Sequence, residues 1–174
     1  MIILEKTSNY MKAVLAIVIG EQVMRMLPKG DGFLHSRKTL DLCWKCIEEW
    51  ENVADDVMGD ICNCIDPEDD IEFEYYSDLS EDATISNIYM LLLGIAAYID
   101  AQVMKEVNSA LPPYIDPASN DEGYTEFILD FVKKVNENYF EEFKLQQVLT
   151  YCNNKQNKEG NIRFRRKEIL GIIS

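Results

Sequence analysis

A chain of 174 residues with 47% hydrophobic and 28% charged side chains reads most simply as one globular domain, long enough to bury a sizeable core. Its 17 basic and 31 acidic residues leave a formal charge of −14, a field that repels nucleic acid and anionic membranes and draws in basic partners. Five cysteines, an odd number, with no basic cluster or cleavage site around "AVLAIVIG", lead us to expect reduced thiols in a cytoplasmic protein.

In chain order, "SNYMKAVLAIVIGEQVMRML" predicts a helix from a Ser8/Asn9 cap to a stop at Pro28, with Glu21 and Arg25 pairing on an exposed face. A second helix is expected over residues 36–51. There Leu40, Leu42, Cys43, Trp44, Cys46, Ile47 and Trp50 share one arc, and Asp41, Lys45, Glu48 and Glu49 the other. A third runs from Val53 to about Cys64, ended by Pro67. Residues 66–82, "DPEDDIEFEYYSDLSED", read as an acidic connection too charged to pack as core. Within it "IEFEYY" permits a short strand, but one strand alone has no partner. The fourth helix, residues 81–109, is apolar on nearly every side and is expected at the centre of a bundle. Its longest apolar run, "IYMLLLGIAAYI", is 12 residues, short of the ~20 that cross a bilayer. "LPPYIDPASNDEG" is a loop, and Tyr124, Phe127, Ile128, Phe131, Val132 and Val135 follow the template of a fifth helix. A sixth, from Phe140 to Cys152, leads into a basic segment at 155–174 that is expected as a solvated tail, helical or frayed. The sum is an all-α, single-domain bundle of about six helices spanning 1–174.

The segment "CWKCIEEWENVADDVMGDICNC" raises the question of metal or redox chemistry. Cys43-x2-Cys46 is followed after 15 residues by Cys62-x-Cys64, close to a zinc-site spacing. The second pair is one residue too tight, and Cys43 and Cys46 lie on the apolar arc of a helix, where a thiol acts as a small hydrophobe. "CWKC" also lacks the strand and helix N-terminus that activate a redox pair. The expectation is therefore core packing, with no metal and no cofactor. His35 is expected on the surface or at a cap, with no nucleophile arranged beside it. Neither a phosphate-cradling glycine loop nor a di-iron ligand set is present in the sequence. No catalytic residue stands out, so the chain reads as a binding protein and not an enzyme. The rivals are a zinc or thiol site and a helical scaffold with some other partner.

The strongest signal is charge. Between Lys45 and Lys105 the sequence places 16 carboxylates over 59 residues with no Lys or Arg. Aromatic and apolar residues are embedded in that block. Carboxylates steer a basic protein and aromatics anchor it. The candidate partner-binding residues are Asp55, Asp56, Asp60, Asp66, Glu68, Asp69, Asp70, Glu72, Glu74, Tyr75, Tyr76, Asp78, Glu81 and Asp82. The bland alternative is a solvated face that keeps a small protein soluble.

"GEQVMRMLP", "RKTLDLCWKCIEE" and "NIYMLLLGIAAYIDAQ", with the acidic stretch between the last two, resemble the sixth immunity protein family of bacterial polymorphic-toxin systems. The resemblance covers Met11 to about Phe140 and leaves the basic tail outside it. It implies a mostly α-helical cytosolic protein that binds and neutralises one toxin domain. Together with the charge it points to a basic toxin, a nuclease among the candidates, and to no direct nucleic-acid or membrane partner.

Overall fold

The computed structural model describes residues 8–65, 72–106, 142–160 and 163–174, and its fold is all-α. The expected loop near 111–123 and the fifth helix at 124–135 lie outside these residues. Seven α-helices occur among the described residues: α1 Asn9–Val23, α2 Asp31–Glu49, α3 Asp55–Ile65, α4 Glu72–Asp78, α5 Ala83–Glu106, α6 Glu142–Glu159 and α7 Arg166–Ile173. Short 3-10 turns follow α1 and α2.

α1 begins where its cap predicts: the Ser8 hydroxyl accepts a hydrogen bond from the Met11 amide at 3.3 Å. Every residue from Tyr10 to Val23 is buried, so α1 has no exposed face to carry a Glu21–Arg25 pair. α5 is the hub, packing against α1, α2, α3 and α4, and its residues from Ile88 to Met104 form much of the core. By length and hydropathy alone α5 could cross a membrane, yet here it is wrapped by other helices and holds the buried polar residues Asp100 and Gln102. The bundle thus has two buried helices, α1 and α5, where the sequence suggested one. At their meeting with α2 a Cβ on Gly20 would lie 3.1 Å from Leu40 Cδ2, so a small residue sets how closely these helices approach.

α2 buries the predicted arc, Leu40, Leu42, Cys43, Trp44, Cys46 and Ile47, and exposes Lys45, Glu48 and Glu49. It starts five residues before the expected Ser36. Gly32 reads as a breaker in isolation, but a Cβ there would collide with the Tyr89 hydroxyl. The glycine therefore admits the ring of α5 against the first turn of α2.

Two expectations need larger corrections. "EFEYYSD" is helical, not a strand or an open connection: α4 buries Phe73 and Ser77, one turn apart, and half-buries Tyr76. A helix satisfies its own backbone, whereas a lone strand cannot. The basic C-terminal segment is not a solvated tail. α6 runs to Glu159, and α7 packs back with Ile169 and Ile173 fully buried. Phe164, just before α7, stacks on Tyr10 with ring centroids 5.9 Å apart and donates its amide to the Tyr10 hydroxyl at 2.8 Å. Tyr10 in turn donates to the Ile47 carbonyl at 3.1 Å, tying the C-terminal segment, α1 and α2 together.

Candidate functional site

The described acidic residues fall on three neighbouring pieces of chain. Asp55, Asp56 and Asp60 are exposed on α3, Glu72, Glu74 and Asp78 on α4, and Glu81 and Asp82 on the turn into α5. α3, α4 and α5 pack against one another, so these pieces are neighbours in the fold. Asp66, Glu68, Asp69 and Asp70 lie outside the described residues.

The carboxylates do not all have the same job. Asp82 caps α5, its Oδ1 accepting the Thr84 amide at 2.8 Å, and Asp56 Oδ1 accepts the Val57 amide at 3.0 Å. Glu72 pairs with His35 Nδ1. Asp60, Glu74, Asp78 and Glu81 make no ion pair with any cation among the described residues.

His35 is no surface histidine. Its side chain is buried in α2, edge-on to Phe73 at 4.6 Å and 6.0 Å from the Tyr76 ring. Burial lowers its pKa, the Glu72 charge raises it, and Lys38 lowers it further; the net shift is downward. With Ser77 hydrogen-bonded to Ser86 of α5, and Tyr76 lying 5.8 Å from Tyr89, these contacts fix α4 onto α2 and α5. Of the two candidate anchors, Tyr75 is exposed and Tyr76 leans inward.

Four of the cations, Arg37, Arg163, Arg166 and Lys155, are engaged elsewhere. Arg37 makes a two-pronged bond to Glu21, both contacts 2.7 Å, and reaches Asp41 at 2.8 Å. Arg166 bonds Asp41 at 2.6 Å and approaches Glu21 at 3.3 Å. Arg163 pairs with Glu51, and Lys155 with Glu168 at 2.9 Å. The Trp44 indole donates to Glu21 at 2.8 Å, so this tryptophan is a core residue with a polar tether. Sequence spacing hid the network, because Glu21, Arg37 and Arg166 are far apart in the chain.

Burial sets the chemistry of most of the thiols. All five cysteines are free, and all but Cys62 are buried. Burial pushes Cys46 and Cys152 up to about 12 and Cys43 well above its ordinary value, which keeps them protonated and poorly nucleophilic. Among the described residues no group of three or more His, Cys, Asp or Glu side chains is placed to hold a metal ion. Cys62 donates to Asp100 Oδ2 at 3.7 Å, while Oδ1 of this buried carboxyl has no hydrogen-bond partner among the described residues.

No curated protein and no solved structure matches the chain. The family model described as Immunity protein Imm6 matches residues 11–147, which takes in α1 to α5 and the first turns of α6 but not α7. With well over half of its length matched in order, this acidic helical chain belongs to the Imm6 family of immunity proteins.

Proposed function

We propose that this immunity protein neutralises a cognate basic toxin domain by presenting the acidic side built from α3, α4 and the α4–α5 turn. It works as a stoichiometric inhibitor in the cytoplasm, without catalysis of its own. The observation that carries the reading is the segregation of charge. Arg37, Arg163, Arg166 and Lys155 neutralise Glu21, Asp41, Glu51 and Glu168. Meanwhile Asp60, Glu74, Asp78 and Glu81 stay exposed, with no ion pair to a cation among the described residues. A face of uncompensated carboxylates costs stability through self-repulsion and gains fast encounter with a positive partner. A nuclease suits this surface well, because its substrate groove is lined with Arg and Lys set to receive phosphates, and carboxylates can occupy the same positions.

The test uses the toxin domain encoded beside the chain's own gene. Asp60, Glu74, Asp78 and Glu81 are changed together to Lys. Glu72 and Asp82 are spared because they hold His35 and cap α5. Association should slow by about ten-fold or more at low salt, with the fold intact. An unchanged association rate would return these carboxylates to a solvated face.

A further inference from the structure

Four large apolar side chains are exposed among the described residues: Leu34, Tyr75, Leu79 and Met90. Two of them belong to α4 and its last turn. Tyr75 is 58% and Leu79 62% exposed, and the Leu79 amide donates to the Tyr75 carbonyl at 3.1 Å, so they stand one turn apart on the same side. Glu74 and Asp78, with the same four-residue spacing, form a second row beside them, and Glu72 lies toward α2 on the other flank. α4 has only seven residues, too few to hold its shape alone. It is held by Phe73 in the core, Ser77 on Ser86, and Glu72 on His35, and none of those contacts uses Tyr75 or Leu79. A fixed helix with an outward apolar stripe framed by carboxylates is a preformed binding ridge.

We infer that Tyr75 and Leu79 on α4 are the anchor of the toxin complex, and that the toxin receives them in an apolar cleft rimmed by Lys or Arg. This rests on the reading of the acidic side as the toxin-binding surface. An apolar cleft without cations would strand Glu74 and Asp78 against it unpaired, and an acidic rim would repel them. A cationic rim satisfies both rows at once. Tyr76, with its ring on His35 and Tyr89, serves the fold and not the contact.

The experiment measures both rate constants for Tyr75→Ala and Leu79→Ala against the toxin domain encoded beside the gene, purified as a catalytically inactive variant. Each should raise the dissociation rate by about ten-fold or more and leave association within about two-fold, because the steering carboxylates are untouched. Tyr75→Arg should also slow association, since it sets a cation against the rim. Leu34→Ala, at a residue 65% exposed on α2, should change neither rate. Unchanged dissociation in both alanine variants, or an equal loss at Leu34→Ala, overturns the assignment. Accelerated dissociation here, combined with no effect of reversing the carboxylates, would retain the anchor and remove the steering. Normal dissociation with slowed association in the reversed protein would do the opposite. A wild-type protein that does not bind this toxin overturns both.

Discussion

Glu21 shows how one buried charge can organise three helices. Its carboxylate takes Arg37 and Trp44 from α2 and Arg166 from the start of α7. Burying a carboxylate is tolerable only with such partners, and the same partners become liabilities when it is removed. Glu21→Ala should therefore destabilise by about 3 kcal/mol, read as a lower midpoint in urea unfolding with an unchanged slope. Trp44→Ala removes both the ring and the tether and should cost about 3–5 kcal/mol. Asp100 carries the opposite problem. Burial lifts its carboxyl to about 7, against the opposing pull of the Cys62 hydrogen bond. An unfolded aspartate titrates near ~3.9, so between roughly pH 4 and 7 the folded state holds a proton that the unfolded state has lost. Stability from this group is thus fullest at acid pH and declines as pH rises through that window. Asp100→Asn should match the wild type near pH 4 and gain on it by on the order of 4 kcal/mol by pH 8, measured as the difference between the two denaturation profiles. A flat difference would mean that the carboxyl is already ionised at little cost.

At the level of elements, the C-terminal segment carries a clear consequence. A solvated tail could be lost without effect, whereas Phe164, Ile169 and Ile173 are fully buried and Arg163 and Arg166 reach α2 and the turn after it. Phe164→Ala should cost about 3–5 kcal/mol, and ending the chain at Gly160 should cost more. Thermal unfolding of the two proteins checks this; a melting point unchanged from the wild type would mean that the segment does not dock. The Imm6 match ends within α6, so this chain completes its core with residues that lie outside the matched region. α4 behaves in a related way. It is short, and tertiary contacts with His35, Ser86 and Tyr89 hold it, not its own helix propensity.

At the scale of the whole molecule, the charges of the described residues divide into paired and unpaired groups. Arg37, Arg163 and Arg166 lie at the meeting of α1, α2 and the C-terminal segment, where they find Glu21, Asp41 and Glu51. On α3, α4 and the turn into α5, Asp60, Glu74, Asp78 and Glu81 make no ion pair among the described residues. Toxin association should consequently fall steeply as salt rises past the ~10 Å Debye length of 0.1 M ionic strength. The stability of the free protein should fall little or rise, because salt relieves repulsion among the exposed carboxylates. A rate constant flat across the salt series would argue that the acidic side does not face the partner.

Local pattern alone determined much of this architecture. The Ser8 cap, the buried arc of α2 and the apolar run of α5 are properties of residues a few positions apart, and each was legible in the sequence because helical periodicity is a short-range rule. The block without cations was equally legible, since it is a matter of composition. Only the tertiary structure decided what depends on residues distant in the chain. It turned "EFEYYSD" into a helix by giving Phe73 a core to enter, and it sorted Tyr75 outward and Tyr76 inward. It brought Arg166 to Glu21 and Asp41 across more than 120 residues, converting an expected free tail into part of the core. Burial and ion pairing are decided by what meets in space, and hydrophobic burial of Phe164, Ile169 and Ile173 outweighs the tendency of a basic segment to stay in water.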